Sequence, residues 1–172
     1  MTWATKTLGR DAERDGFAAM LAECEPIVRK VARTYCWDAD LRRDLAQDIL
    51  LELWRAWPRY DTARPARTWA YRIALNVAID YVRSSTRRRP TVELDTETAD
   101  EVRLEEHVDG VIVLERLIKA ADPFDRAILL LFLEGYNQTE IAAMVGTTNT
   151  NVSTRLHRMK ARLSAHFDGG ER

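Results

Sequence analysis

Short hydrogen-bonding side chains and cations recur near the carboxyl end of the chain, along what the spacing predicts to be one helix. They are Asn149, Thr150, Asn151, Ser153, Thr154, Arg155, His157, Arg158 and Lys160. Hydroxyl and amide groups suit the edges of bases in a major groove, and cations suit backbone phosphates. The set therefore indicates a DNA-reading helix, and the alternative is an ordinary solvated helix face.

The residues before this helix are those that a helix-turn-helix needs. Gly135 can end one helix in the left-handed conformation, and Asn137 with Glu140 has the spacing of a capping box. Gly146 supplies a tight turn, and Val152 can pack the last helix onto its neighbour. A short capped helix, a glycine turn and a polar-fronted helix form a common DNA-binding unit, although the same geometry also occurs in proteins that do not bind DNA.

A second candidate site is a basic segment with interleaved aromatic residues. Residues 64–89 contain seven arginines and one acid, Asp80. A polar stripe at helical spacing is formed by Arg72, Asn76, Asp80 and Arg83. Arginines can follow a nucleic-acid backbone and aromatic rings can stack on unpaired bases, so the segment is compatible with single-stranded nucleic acid. Trp69 and Tyr71 could equally be core residues.

A third candidate site is acidic. Asp44, Asp48 and Glu52 follow one another at intervals of four residues, with Gln47 beside them. On a helix this places three carboxylates on one face, at a cost of about 0.2–0.5 kcal/mol for each like-charged pair. A basic protein partner would offset that cost. The alternative is a solubilising face whose charge neighbouring arginines partly neutralise.

These sites must be carried by helices. Apolar residues recur at helical spacing and strand-like alternation is absent. Gly110, Gly135, Gly146 and most prolines fall between the periodic runs. Helices are predicted at 15–35, 39–57 and 66–87, with Pro26 kinking or breaking the first and Asp38 capping the second. The predicted apolar faces of the second and third are Leu41, Leu45, Ile49, Leu53, Trp54 and Trp57, and Trp69, Ile73, Val77 and Val82.

The carboxyl-terminal part is predicted to be a second, separate bundle. It begins near residue 111 and contains helices at about 122–134, 138–145 and 149–167. Between the bundles, residues 90–110 lack periodicity and carry eight acidic side chains. Mutual repulsion favours an extended chain, so this segment is predicted to be a flexible acidic linker. The sequence therefore predicts an all-α protein of two small helical domains, 1–89 and 111–172.

The charge distribution is more informative than its total. The net charge of −1 by itself argues against a strongly basic nucleic-acid binder. However, residues 1–89 carry +5, residues 90–125 carry −8 and residues 126–172 carry +2. Two mildly basic ends thus flank an acidic middle. No apolar run approaches the roughly 18 residues of a membrane span, and no secretory signal is visible, so no membrane insertion is expected.

Three segments together resemble the extracytoplasmic-function (ECF) class of bacterial sigma factors. DLAQDILLELWRAWPRYD at 44–61 is similar to the helix of region two in that family. RTWAYRIALNVAIDYVRSSTRRR at 67–89 resembles its promoter-melting helix. DPFDRAILLLFLEGYNQTEIAAMVGTTNTNVSTRLHRMKARL at 122–163 resembles region four. The three stand in the order that the family shows.

The resemblance implies a role for each segment. It assigns binding of the β′ clamp helices of core RNA polymerase to Asp44, Gln47, Asp48 and Glu52. It assigns capture and melting of the single-stranded minus-ten promoter element to Tyr60, Asp61, Arg64, Arg67, Thr68, Trp69, Arg72, Asn76, Asp80 and Arg83. It assigns reading of the duplex minus-thirty-five element to the nine residues of the last helix named above. The acidic linker would then thread toward the active-site channel of the polymerase.

Partners and location are implied in the same way. They are core RNA polymerase through the β′ clamp helices and the β flap, promoter DNA, and an anti-sigma factor that can hold the protein near the membrane of a bacterial cytoplasm. Two positions depart from the family pattern, since Asp48 stands where Glu is frequent and Ser153 where a longer basic side chain is frequent. The second departure leaves the promoter sequence open.

Other classes of protein remain as alternatives. A conventional helix-turn-helix regulator would bind duplex DNA without polymerase, but it leaves the basic aromatic segment and the acidic face without a use. An enzyme is disfavoured because the chain has no Walker loop, GxSxG or HExxH motif. Cys24 and Cys36 have neither the spacing of a zinc site nor that of a disulfide framework. We therefore expect no catalytic activity, no cofactor and no metal.

Overall fold

The computed structural model describes residues 3–88, 114, 116 and 118–168, with side chains for 15–85, 114, 116 and 118–164. Regular structure within these residues is all helical, as predicted. The elements are α1 Trp3–Tyr35, α2 Ala39–Ala56, a 3-10 turn Trp57–Arg59, α3 Ala66–Arg88, α4 Pro123–Leu133, α5 Gln138–Val145 and α6 Asn149–Asp168. The chain forms two compact units, 1–81 and 82–172. The predicted boundary at 89 and linker at 90–110 lie outside the described residues and stay predictions.

Helix α1 differs from its prediction at two points. It begins at Trp3 rather than near residue 15, and it continues through Pro26. Of the two outcomes predicted for Pro26, a kink or a break, the break is therefore wrong. Pro26 is exposed, while Cys24 and Ile27 beside it are buried. The proline ring therefore lies on the solvent side, and packing of α1 against α2 offsets the backbone hydrogen bond that proline cannot donate.

In helix α2 only the central residues of the predicted apolar face are buried. Asp38 caps its start by accepting hydrogen bonds from two backbone amides, as predicted. Leu45, Ile49 and Leu53 are fully buried. Leu41 and Trp54 were predicted to join them, but they are 48% and 43% exposed. The buried face of α2 is therefore narrower than predicted.

Helix α3 buries a face that the sequence analysis did not select. Its core residues are Ala70, Tyr71, Ala74, Leu75, Ala78 and Ile79. The predicted face, with Trp69 and Ile73, lies half-buried beside them. Alanines one turn apart allow close approach of neighbouring backbones, and a search for large apolar residues overlooks them. Tyr71 is completely buried, so it is a core residue.

The second unit has the predicted helix-turn-helix. Asp122 caps α4, and Asn137 with Glu140 forms a complete capping box at the start of α5. Gly135 and Gly146 both adopt positive φ, 88° and 72°, where a residue with a Cβ is strained. The two glycines therefore separate α4, α5 and α6 at the predicted positions, and they set the direction in which α6 leaves the turn.

Candidate nucleic-acid and protein interfaces

The outer face of α6 carries four of the predicted minus-thirty-five residues as outward side chains. Thr150, Ser153, His157 and Arg158 are exposed, and their side chains make no hydrogen bond or ion pair with the other residues that the structure describes. Thr150, Ser153 and His157 follow one another at intervals of three and four residues, which is one stripe of a helix. The stripe offers two hydroxyls and an imidazole, with the guanidinium of Arg158 at its side.

Two further residues of the predicted set fix the turn. Asn149 Nδ2 donates to Thr139 Oγ1 of α5 at 2.9 Å. Asn151 Nδ2 donates to Thr147 Oγ1 at 3.0 Å, and its backbone amide donates to Thr148 Oγ1 at 3.2 Å. Both asparagines are exposed, but their amide groups bind within the helix-turn-helix. They support the geometry of the turn.

Thr154 and Lys160 also interact within the unit. Thr154 Oγ1 donates to the carbonyl oxygen of Thr150 at 2.9 Å, which is a common arrangement for threonine inside a helix. Lys160 Nζ lies 4.7 Å from the centroid of the Phe132 ring of α4, a cation–π distance. The ammonium of Lys160 therefore lies over α4 rather than on the outer stripe.

Arg155 binds acidic residues of the same unit. Its Nη1 lies 2.6 Å from Asp125 Oδ1 and 3.3 Å from Asp122 Oδ2. Its Nε donates to Asn151 Oδ1 at 2.9 Å, and its Cζ lies 5.0 Å from the centroid of the Phe124 ring. Spacing along the helix places Arg155 with the predicted DNA-contacting residues, because spacing does not reveal a carboxylate thirty residues earlier.

The charges of this cluster stabilise one another. The hydrogen bond from Arg155 to Asp125 raises the pKa of the guanidinium, although burial opposes this. Burial raises the pKa of the Asp122 carboxyl, but the hydrogen bonds from Asp125 and the amide of Phe124, together with the charge of Arg155, outweigh it and lower the pKa overall. Both shifts favour the charged forms of Asp122 and Arg155.

In the first unit, the predicted minus-ten loop has its own internal bonds. Tyr60 Oη donates to the carbonyl oxygen of Arg64 at 2.6 Å. Asp61 Oδ1 accepts from the amide of Ala63 at 3.0 Å, and Asp61 Oδ2 lies 3.6 Å from Arg64 Nε. These bonds close a compact turn between the 3-10 turn and α3, so the loop has a defined conformation without a ligand.

Aromatic rings hold the base of this loop. The Tyr60 ring stacks on Trp57, with centroids 5.3 Å apart, and lies 4.7 Å from Trp69. Trp57 in turn contacts Phe17 of α1 at 5.8 Å, and Phe17 contacts Trp54 at 4.8 Å. Burial, followed by nearby acidic groups, raises the pKa of the Tyr60 hydroxyl, which keeps it a hydrogen-bond donor. The cluster joins α1, α2 and α3 beneath the loop.

The predicted polar stripe of α3 lies on the surface. Arg72, Asn76, Asp80 and Arg83 are all exposed. At the start of the helix Arg67 is exposed as well, whereas Thr68 and Trp69 are half-buried. Tyr60 and Trp69 are thus in contact at the loop. The polar stripe of α3 begins one turn after Trp69 and continues toward the end of the helix.

The acidic face of α2 is present, but its third carboxylate differs from the first two. Asp44, Gln47 and Asp48 are exposed. Glu52 is half-buried and lies 3.6 Å from Arg55 Nη1 in an ion pair. The outward charge of this face therefore comes mainly from the two aspartates.

Leu51 is a surface residue that the sequence analysis missed. It is 46% exposed and stands four residues after Gln47 and three after Asp48, so it lies among the acidic residues. Trp54 follows three residues later and is 43% exposed. Helical spacing could have identified Leu51, since it falls between polar positions. Exposed apolar side chains beside charges are typical of protein-binding surfaces.

The two cysteines are buried separately. Burial raises the pKa of the Cys24 thiol to about 11, Glu23 adds to this and Arg67 opposes it. Cys36 is 5% exposed and lies close to Tyr81, whose pKa is also raised, mainly by burial. Over the described ranges, no group of three or more His, Cys, Asp or Glu could hold a metal ion. In the same ranges no helix is long and apolar enough to cross a membrane.

Comparison with known families matches both units. Residues 20–88 match the family described as Sigma-70 region 2, and residues 114–163 match Sigma-70, region 4. RNA polymerase sigma factor CnrH of Cupriavidus metallidurans is 31% identical over 138 residues, which are 73% of this chain and 72% of CnrH. The ECF RNA polymerase sigma factor SigL of Mycobacterium tuberculosis is 29% identical over 154 residues, 85% of each chain.

Solved structures show the same fold. CnrH in complex with the cytosolic domain of CnrY matches with a TM-score of 0.63 and 25% identity over 91% of this chain and 90% of that chain. The sigma factor RpoE of Bartonella quintana, in complex with the anti-sigma factor NepR, matches with a TM-score of 0.67 over 91% of this chain and 99% of that chain. At 18% identity the second likeness concerns the fold alone.

The two matched regions and the identity to CnrH show the family: this chain belongs to the sigma-70 family and to its ECF class. It is a factor for promoter-specific transcription initiation with RNA polymerase. The matched families are initiation factors and not families of enzymes.

Proposed function

We propose that the acidic face of α2 binds the β′ clamp helices of core RNA polymerase. The observation that supports this most directly is the exposed combination of Asp44, Gln47 and Asp48 around Leu51. Carboxylates give complementarity to a basic partner, and an exposed leucine among them gains free energy when a partner covers it. The β flap would be bound by the second unit.

Charge reversal tests this assignment. The double variant Asp44→Arg, Asp48→Arg should lose binding to core polymerase without loss of helix content, because both side chains are exposed. A matched control is Glu23→Arg, Glu25→Arg on α1, which reverses two exposed charges elsewhere on the same unit. Co-purification with tagged core enzyme is the measurement. Equal retention of the two double variants by core enzyme would remove the α2 assignment.

We propose further that the loop from Tyr60 to Arg64 and the stripe of α3 capture and help to melt the minus-ten element. The loop is internally bonded above an aromatic cluster, and the arginines of α3 can follow a single strand past it. Flipping a base out of the stack costs a few kcal/mol, which contacts to the captured strand would offset.

Permanganate reactivity of promoter thymines measures this opening. The variants Arg72→Ala and Asn76→Ala should lower the reactivity within the minus-ten element, while Arg29→Ala on exposed α1 surface serves as the control. The assignment fails if the α3 variants open the promoter as the wild type does while core binding is unchanged.

For the second unit, we propose that the outer stripe of α6 reads the minus-thirty-five element. Thr150, Ser153 and His157 can reach base edges, and Arg158 can reach a phosphate. A short hydroxyl at Ser153 leaves room for a base contact different from that of a long basic side chain. Mapping the transcripts that appear on overexpression, together with core-dependent transcription in vitro, would define the element.

Regulation by an anti-sigma factor is also proposed. It is supported by the two solved neighbours, one bound to the cytosolic domain of CnrY and the other to the anti-sigma factor NepR. The protein would act in the bacterial cytoplasm without catalytic activity, and a membrane-attached anti-sigma factor would hold it near the membrane. Release into the unattached fraction on deletion of a copurifying partner is the expected result.

A further inference from the structure

We propose that Arg155, together with Asp125 and Asp122, is a positioning device that sets α6 against the start of α4. In this role Arg155 acts on promoter recognition through the placement of the outer stripe of α6, and not as a phosphate contact. The inference deepens the proposed reading of the minus-thirty-five element and rests on it. The contacts, the burial and the charge of this cluster each support a positioning role.

The contacts connect two helices. Asp122 Oδ1 accepts the amides of Phe124 and Asp125, both at 2.9 Å, and so begins α4. Asp122 Oδ2 and Asp125 Oδ1 then share Arg155 Nη1 of α6. One carboxyl group therefore both starts α4 and holds α6. The second donor of Arg155, Nε, binds Asn151 within α6 and keeps the guanidinium in a fixed plane.

The charged groups of Asp125 and Arg155 have little access to water. Asp125 is 6% exposed and is the one buried charged residue among those that the structure describes. The Arg155 side chain is 26% exposed. Removing one partner of such a pair leaves a charge with little access to water, so the helices must shift or separate to solvate it. An ion pair at the surface would have no comparable effect.

Charge argues against a phosphate contact by Arg155. Two carboxylates lie within 3.3 Å of its Nη1, so the cluster carries a net negative charge. A phosphate gains little from a cation that is already neutralised, whereas the exposed Arg158 offers an unscreened charge. Along α6, Arg155 stands two residues from Ser153 and His157 of the outer stripe and three residues from Arg158. A small rotation of α6 therefore misplaces every base contact together.

The two roles give opposite expectations for Asp125. If Arg155 is a phosphate contact, removing the Asp125 charge frees the cation and strengthens DNA binding. If Arg155 is a positioning residue, Asp125→Asn and Asp125→Ala weaken recognition, as Arg155→Ala does. Arg155→Lys separates the roles again, because lysine keeps the charge but cannot make the forked contacts to Asp125 and Asn151.

The experiment uses holoenzyme assembled from core RNA polymerase and the full chain. It compares a duplex from the strongest promoter that this holoenzyme transcribes with the same duplex in which the minus-thirty-five element is scrambled. We expect Arg155→Ala, Arg155→Lys and Asp125→Asn each to lower the affinity ratio of true to scrambled duplex about tenfold, with the scrambled affinity and the salt slope unchanged. Arg158→Ala, the matched control, should lower both affinities and reduce the slope by about 0.9. Far-UV circular dichroism at the assay temperature verifies that each variant is folded.

Hydrogen exchange without DNA provides a readout that does not depend on the proposed function. Amides of residues 149–164 should exchange faster in Arg155→Ala and Asp125→Asn than in the wild type and in Arg158→Ala. Unchanged exchange in both variants would overturn the positioning role even if the wild type bound no promoter. Stronger DNA binding by Asp125→Asn, wild-type discrimination by Arg155→Lys, or a reduced slope in Arg155→Ala would also overturn it. If exchange rises but no duplex is discriminated by the wild type, the assignment of the promoter element fails and the docking of α6 stands.

Discussion

Leu51 provides a test of the α2 surface that does not depend on charge. It is 46% exposed, so about half of its side chain is still available for burial by a partner. Full burial of a leucine is worth about 1.5–3 kcal/mol, and the remaining half therefore corresponds to about 0.7–1.5 kcal/mol. Leu51→Ala should weaken binding to core polymerase by about 3- to 12-fold, since a factor of ten is about 1.4 kcal/mol.

Leu41→Ala is the matched control for this prediction. Leu41 lies on the same helix, is 48% exposed and stands ten residues earlier, about 15 Å along the axis. The two variants remove the same atoms from similarly exposed sites, so their melting temperatures should fall by similar amounts. Titration of labelled core enzyme at fixed salt measures the affinities. A loss with Leu41→Ala equal to that with Leu51→Ala would refute the reasoning, because Leu41 lies one turn before the first residue of the acidic face, Asp44, and the effect would then not be centred on Leu51.

Three further outcomes are expected. Gly146→Ala should lower the free energy of unfolding by about 1–2 kcal/mol in denaturant titrations, since φ is +72° there and the Cβ meets no nearby atom, so any loss is backbone strain. Cys24 should react very slowly with iodoacetamide at pH 8 in the native protein and quickly in urea. The reason is that its pKa of about 11 keeps the thiol protonated and its burial keeps it covered. Fast labelling of the native protein would contradict this. Asp122 has a lowered pKa in the folded state, so its contribution to stability is present above its ordinary pKa near 3.8 and is lost as the pH falls through the folded value. Asp122→Asn keeps a cap residue but should flatten the decrease of melting temperature below about pH 4. An unchanged decrease would assign the acid sensitivity elsewhere.

Much of the second unit could be predicted from the sequence because its signals are local. The capping box joins Asn137 to Glu140, three residues away, and Gly135 and Gly146 end helices by their own backbone freedom. Such hydrogen bonds and dihedral angles depend on neighbours within one helical turn. The acidic positions of α2 and the family segments were readable for the same reason, since they are patterns along the chain.

Other features depend on contacts between distant parts of the chain. The partner of Arg155 lies thirty residues earlier, so spacing along α6 alone places this guanidinium on the DNA face, while tertiary packing turns it toward α4. The buried face of α3 was missed because its alanines become core only when neighbours approach closely. Leu51 is exposed because α2 has a core only on its Leu45–Leu53 side.

The sequence by itself thus determined helices α2 to α6, the caps at Asp38 and Asn137, the helix-turn-helix and the family. Only the tertiary structure decided which polar side chains of the predicted sites face outward and which hold the unit together. The physical reason is that helix formation and capping are satisfied within one turn, whereas the direction and charge environment of a side chain depend on what packs against its helix.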